Sequence, residues 1–193
     1  IKIPSPKPPL LIMHGGAGAG KSHVIKAITL WAEKFFRSGK NNPDRPFIIK
    51  TAPTGSAASK IKGLTLHSAF HFNFDNKFLP LGDKLRDSFR DLLSDLKILI
   101  IDELSMVKAD LLYQLNLRLK EIKQSEDDFG GICVLLFGDL MQLRPVKASW
   151  IFAEPLNPKN LLAFEANSLW HQFQCIEMRV NHRQGKDKEY AEI

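Results

Sequence analysis

Apolar positions fall along this chain in two kinds of block. Short continuous runs of strand length occur at Leu10-Leu11-Ile12-Met13, at Pro46-Phe47-Ile48-Ile49-Lys50-Thr51, at Lys97-Ile98-Leu99-Ile100-Ile101 and at Ile132-Cys133-Val134-Leu135-Leu136-Phe137. Between them, apolar residues recur three or four apart, as Val24, Ala27, Ile28, Trp31 and Phe35, and again as Leu111, Leu115, Leu119 and Ile122. The first kind of block predicts strands and the second predicts helices. The run ending at Ile101 suits a central parallel strand buried on both faces. The segment from Asp110 to Ile122 predicts an amphipathic helix covering the sheet, with Arg118, Lys120 and Lys123 on a solvated face. The first helix is expected to stop near Ser38-Gly39, ahead of the loop signal Asn41-Asn42-Pro43. Phe173 to Val180 alternates in part and predicts a last strand. The four prolines of Ile1 to Pro9 predict an extended lead-in. Asp75 to Arg90, polar and mixed in charge, predicts a surface loop or helix.

Composition narrows this picture only slightly. A chain of 193 residues suits one domain with a sizeable core, and 44% hydrophobic with 25% charged residues is ordinary for a globular protein. No run of 18 or more apolar residues occurs, so no membrane span is expected. No signal peptide is visible. The first residue is Ile1 rather than Met and the last stretch, Lys186 to Ile193, is polar, so the chain is expected to be a fragment. Cys133 and Cys175 have no metal-ligand neighbours at short spacing and read as buried free thiols in a reducing compartment. The net charge of +6 permits a polyanionic partner without requiring one.

The chemistry centres on Gly15-Gly16-Ala17-Gly18-Ala19-Gly20-Lys21-Ser22, which fits the phosphate-binding pattern G-x-x-x-x-G-K-[ST]. A glycine-rich turn followed by a chance Lys-Ser would look the same in isolation. Here the glycines lie between a predicted strand and a predicted helix start, where backbone N–H groups and the helix dipole can converge on an anion. In that reading Lys21 reaches the β- and γ-phosphates, the Ser22 hydroxyl binds Mg²⁺, and His23 completes the nucleotide-binding set. The strand ending at Ile101 runs into Asp102-Glu103. Acidic residues also favour helix starts, but an apolar strand ending in Asp-Glu after a phosphate loop points to a Mg²⁺-supporting Asp and a general-base Glu. Gln142, beyond the next buried strand, can hydrogen-bond a γ-phosphate or the attacking water, although alone it reads as a surface residue. Thr54 and Ser56 are plausible helix caps in a loop of small residues, Ala52 to Ala58. Bound phosphate, from nucleotide or nucleic acid, and an ordinary strand-to-helix turn explain that loop about equally. His67, with Thr65, Ser68 and the nearby Phe70, Phe72 and Phe74, can contact a sugar-phosphate backbone and stack bases, but aromatic clusters more often form core. Arg183, after the last predicted strand, can act as an arginine finger.

Four blocks beyond the phosphate loop occur in order: TAPTGSAASK, LTLHSAF, IIDELSMV and GDLMQLRPV. Together with HRQ near the end, they make the stretch from about Leu10 to Gln184 resemble the first motor domain of the petite-integration-frequency DNA helicases, RecD-like enzymes of helicase superfamily one. The resemblance implies an α/β fold, a RecA-like P-loop NTPase domain with a mostly parallel central sheet and helices on both faces. It implies binding of Mg²⁺ and ATP, single-stranded or forked DNA as partner, 5′-to-3′ movement, and roles in DNA repair, recombination or telomere maintenance. Carried over by position, Gly15 to His23 bind nucleotide, and Ser22 and Asp102 support Mg²⁺. Lys21, Glu103, Gln142 and Arg183 carry catalysis. Thr54, Gly55, His67 and Ser68 hold DNA. The protein is expected to be monomeric and intracellular, in the nucleus or mitochondrion of a eukaryote or otherwise in the cytoplasm.

The chain departs from the family pattern at Arg144, which stands where proline is usual. The family's adenine-reading glutamine motif does not appear. The second RecA-like domain is also missing, so residues 1–193 are expected to form one ATP-binding motor domain that turns over nucleotide poorly alone. Two rival readings use the same core. One is a nucleotide-gated DNA-binding accessory ATPase that does not unwind; the other is a small-molecule phosphotransferase, which lacks a use for the blocks at Thr51–Ala58 and Thr65–Phe70.

Overall fold

The computed structural model describes residues 7–37, 42–73, 78–142, 151–152 and 168–180. Six strands form one sheet: β1 (Leu10–His14), β2 (Ile48–Ala52), β3 (Leu64–Thr65), β4 (Ile98–Ile101), β5 (Cys133–Gly138) and β6 (Gln174–Glu177). Their spatial order is β3-β2-β4-β5-β1-β6, and every pairing is parallel. Among the described residues five α-helices accompany them: α1 (Lys21–Phe36), α2 (Gly55–Lys60), α3 (Leu66–Phe70), α4 (Asp83–Leu92) and α5 (Ala109–Lys123). This is the expected α/β fold.

Burial explains why the inner strands are apolar at every position. In β4, Ile98 and Ile100 join a cluster with Ile25, Ala32 and Ile61, while Leu99 and Ile101 join another with Phe70, Leu112 and Leu119. In β5, Leu135 and Phe137 face the first cluster and Val134 and Leu136 the second. Side chains alternate across a strand, so a strand covered on both sides needs apolar residues at each position. Helix α1 covers one face and α3, α4 and α5 the other. At the edge, β6 is exposed along its length, and Cys175 in it is exposed rather than buried. Cys133 is partly buried, and burial pushes its thiol up to about 11, which keeps it an inert neutral group.

Two expectations from spacing are corrected. The packed seam of α1 is Ile25 and Ala32 with Val24, Ile28 and Phe36, whereas Trp31 and Phe35 are 53% and 67% exposed and stack on each other at 5.0 Å. Both sets repeat at helical spacing, and only contact with the sheet chooses between them. The helix itself stops at Phe36, slightly before the expected glycine.

The second correction concerns the basic residues of α5. Arg118 is 2% exposed. Its guanidinium donates to the main-chain oxygens of Phe70 (3.1 Å) and Leu79 (2.9 Å), pairs with Glu121, and lies over the rings of Phe72 and Phe78. Lys123 donates to the main-chain oxygens of Leu93, Ser94 and Leu96, and Lys120 pairs with Asp128. Thus Arg118 and Lys123 tie α5 to the carbonyls of neighbouring segments, a role invisible in the helix's own sequence. Removing Arg118 takes the cation from the largely buried Glu121 carboxylate and the donor from the buried Phe70 carbonyl. Arg118→Ala is therefore expected to lower stability by about 3 kcal/mol, against about 0.5 kcal/mol or less for Arg37→Ala in the exposed Arg37–Glu33 pair, as read by urea unfolding.

Candidate functional site

The loop from Gly15 to Gly20 leaves the carboxyl end of β1 and enters α1. Gly15 is wedged against the turn: a Cβ there would sit 3.0 Å from Ala19 and from Met178. Gly18 and Gly20 hold φ of 86° and 87°, the left-handed region that glycine occupies without strain. Gly20 is the N-cap of α1, no side chain caps it, and no acidic residue stands in the first turn. The helix therefore presents its first N–H groups and positive dipole end to the loop. The Lys21 ammonium curls back to donate to the carbonyls of Gly15 (2.5 Å) and Gly16 (3.0 Å). Ser22 and His23 lie exposed at the start of the helix.

Asp102 ends β4, two strands away from the loop, yet the loop's lysine acts on it. Burial raises the Asp102 carboxyl above the usual carboxylate range. The hydrogen bond from the Glu103 N–H to Oδ1 (2.9 Å) opposes this, the charge of Glu103 adds to it, and Lys21 and Lys60 oppose it. Its neighbour Glu103 takes φ of 54°, left-handed for a non-glycine residue, which costs about 1–2 kcal/mol. That backbone turns the chain sharply off the strand into the short 3₁₀ turn Leu104–Met106. Leu104 packs so closely on β5 that a Cβ at Gly138 would lie 2.7 Å from its nitrogen.

The two polar elements that follow meet Glu103. Beyond β5, Asp139 holds a tight turn by accepting from the Met141 N–H through Oδ1 (2.9 Å) and from the Gln142 N–H through its carbonyl (3.1 Å). Gln142, at that turn's end, lines a cavity of about 210 Å³ with Glu103, Ser105, Thr54 and Lys60. Thr54 caps α2, its Oγ1 accepting from the Ala57 N–H at 3.2 Å, while Ser56 lies inside that helix rather than capping it. Thr65 caps α3 in the same way, accepting from the Ser68 N–H at 3.1 Å.

The nominated residues therefore divide. Thr54 shares the cavity of Glu103 and Gln142. Gly55 and Ser68 share a second, open groove of about 630 Å³ on the other side of α2, with Thr65 and Lys62. His67 lines neither; it stands edge-on to the Phe72 ring, and burial, then the charge of Lys108, lowers its pKa. Phe70 and Phe72 are core residues, so they have no face free to stack on a base. Arg183, Arg144 and Phe74 lie outside the described residues. Sequence reasoning missed Asp139, whose Oδ2 lies 3.9 Å from where a Cβ on Gly16 would be, and Ser105, whose buried hydroxyl has no partner among the described residues. It also passed over Lys60. Only the tertiary fold brings Asp139 to the loop and Ser105 and Lys60 to the cavity of Glu103.

Because the folded state raises the Asp102 pKa, it holds the proton more tightly than the unfolded chain does. Stability from this group is full below the unfolded value and is lost as pH rises through the folded one. Asp102→Asn is therefore expected to raise the thermal midpoint at pH 7 without nucleotide or metal, and the gain should vanish toward pH 3, as read by calorimetry.

Comparison with known proteins shows the family. A model of the PIF1-like helicase family matches residues 3–193. The ATP-dependent DNA helicase RRM3 of Saccharomyces cerevisiae is 39% identical over 135 residues, covering 68% of this chain and 18% of the relative. The ATP-dependent DNA helicase PIF1 of Emericella nidulans is 32% identical over 182 residues, covering 93% of this chain and 23% of the relative. The crystal structure of the Candida albicans Pif1 helicase superposes with a TM-score of 0.73 at 28% identity, over 95% of this chain and 39% of that one. That of the Bacteroides Pif1 helicase in complex with ADP-AlF3 and single-stranded DNA gives 0.65 at 29% identity, over 93% and 40%. The chain thus spans about a fifth of the length of these two curated relatives. With a family model matched from residue 3 to residue 193 and the same fold beneath it, the chain belongs to the PIF1-like helicase family.

Proposed function

We propose that this chain is the ATP-binding motor domain of an ATP-dependent DNA helicase that moves 5′ to 3′ on single-stranded DNA. The observation that carries the reading is the shared cavity: Glu103 and Gln142, the nominated base and γ-phosphate sensor, have Thr54 and Lys60 of α2 as its opposite wall. The far side of the same helix lines the groove of Gly55 and Ser68. One six-residue helix thus touches both the hydrolytic residues and the nominated DNA surface.

Lys21 would leave the loop carbonyls to neutralise the β- and γ-phosphates, and Gly15 to His23 would cradle the nucleotide. Glu103 would orient the attacking water and accept its proton, with Gln142 holding the γ-phosphate end. Arg183 would stabilise the developing charge. Thr54, Gly55, His67 and Ser68 would hold the sugar-phosphate backbone. Among the described residues no group of three or more His, Cys, Asp or Glu could cage a metal ion. A lone buried carboxylate at Asp102 with the exposed hydroxyl of Ser22 instead suits Mg²⁺, which takes one or two protein oxygens and completes its shell with water and phosphate oxygens. When bound, Mg²⁺ would neutralise phosphate charge. Hydrolysis mainly requires positioning and charge stabilisation, so each nucleotide state can move α2 and its grip on DNA. Residues 1–193 would form one motor domain, acting with a second RecA-like domain and turning over ATP poorly without it. ATP/ADP and single-stranded or forked DNA would be its partners. No described helix is long and apolar enough to cross a membrane.

Two substitutions in the full-length protein test the assignment. Lys21→Ala is expected to weaken ATP binding roughly 10- to 100-fold through loss of charge-assisted contacts. Glu103→Gln should keep nucleotide affinity and lose turnover by about 100-fold or more. Fluorescent nucleotide titration and phosphate release read the two effects. Unchanged turnover in Glu103→Gln would remove it from the role of base.

A further inference from the structure

The turn that ends α2 contains a misplaced preference. Helices commonly end on a left-handed residue, and glycine is favoured there. Here the left-handed position is Lys62, with φ of 52°, and the glycine comes one residue later. Both are fixed in place. The Lys62 N–H donates to the Ser59 carbonyl (3.0 Å) and the Gly63 N–H to the Ala58 carbonyl (2.8 Å). A Cβ at Gly63 would lie 2.3 Å from the carbonyl oxygen of Lys50, so the close approach to β2 claims the glycine there. The chain therefore carries a lysine side chain where a bare backbone would be less strained.

That side chain projects from the rim of the open groove lined by Gly55, Ser59, Gly63, Thr65 and Ser68. No acidic residue lines the groove among the described residues. Lys62 is exposed and forms no salt bridge among the described residues. Its charge is felt by Lys50 in β2, which burial and then the Lys62 ammonium hold below the usual lysine range. An exposed ammonium at a groove that no described carboxylate lines, beside small residues that permit close approach, makes a surface for a polyanionic backbone.

We infer that Lys62 is a phosphate contact for single-stranded DNA, held at the rim of the groove between α2 and α3 by its left-handed backbone. The inference deepens the proposed helicase reading and rests on it. As a phosphate contact it contributes affinity and register but reads no sequence.

Lys62→Gly in the full-length protein is the test, because glycine satisfies the turn and the fold is kept. Binding of fluorescein-labelled oligo-dT and oligo-dA is followed by anisotropy from 50 to 300 mM salt, a range of ordinary ionic strengths. The expected result is roughly three- to tenfold weaker binding near physiological salt, and a slope of log affinity against log salt shallower by about 0.7. The loss should be alike for both strands, Lys62→Arg should restore it, and the thermal midpoint of Lys62→Gly should hold or rise. Unchanged affinity and slope in Lys62→Gly, with the parent protein binding DNA normally, would overturn the Lys62 contact and leave the helicase reading standing. A midpoint that falls along with affinity would assign Lys62 to the helix end instead. Failure of the parent protein to bind single-stranded DNA would overturn both.

Discussion

The order of three parallel strands, β4-β5-β1, is the constraint on which the site depends. Parallel strands all end at the same edge, so residues far apart in sequence leave the sheet side by side. The loop after β1, the carboxylates after β4 and the turn after β5 are therefore neighbours, and the first and last are also joined where the Gly15 N–H donates to the Gly138 carbonyl (3.1 Å) and the Leu140 N–H to His14 Nδ1 (3.4 Å). The pairing holds only because β4 and β5 are covered on both faces, by α1 on one side and α3, α4 and α5 on the other. A polar residue inside either strand would loosen both faces and the edge together.

That edge stores costs that the core offsets. Asp102 is buried enough to resist ionisation, Glu103 sits in a left-handed backbone, and the Ser105 hydroxyl has no partner among the described residues. Departures from local preference cluster where charge must be held and released, as expected of a site whose geometry is set before its ligand arrives. Helix α2 translates that geometry outward. It is short, capped by Thr54 and closed by the Lys62–Gly63 turn, and it lies between the cavity of Glu103 and Gln142 and the open groove.

Much of this was legible from local patterns. Apolar runs bounded by turn signals located β1, β2, β4 and β5, the glycine spacing located the turn between β1 and α1, and Thr54 announced a cap. What remained hidden depends on contacts distant in sequence. Trp31 and Phe35 repeat at the same spacing as Ile25 and Ala32, and only the sheet decides which pair is buried. Arg118 reads as a surface cation until α3 and the segment before α4 bring carbonyls to it. Phe72 reads as core or as a stacking platform, and its burial decides for the core. Lys62 and Lys60 carry no motif, and their meaning comes from the turn and the cavity they line. The pairing of Glu103 with Gln142 was foreseeable in kind, from the family resemblance, but their common wall with α2 was not.

The central claim is that the nucleotide cavity and the nucleic-acid groove are two sides of one element. Steady-state ATP hydrolysis by the full-length protein, measured with and without single-stranded DNA, tests it most directly. The account predicts strong stimulation by DNA, accompanied by equal and reciprocal effects of ATP analogue on DNA affinity and of DNA on analogue affinity. Hydrolysis at the same rate with and without DNA, and affinities indifferent to each other, would contradict it.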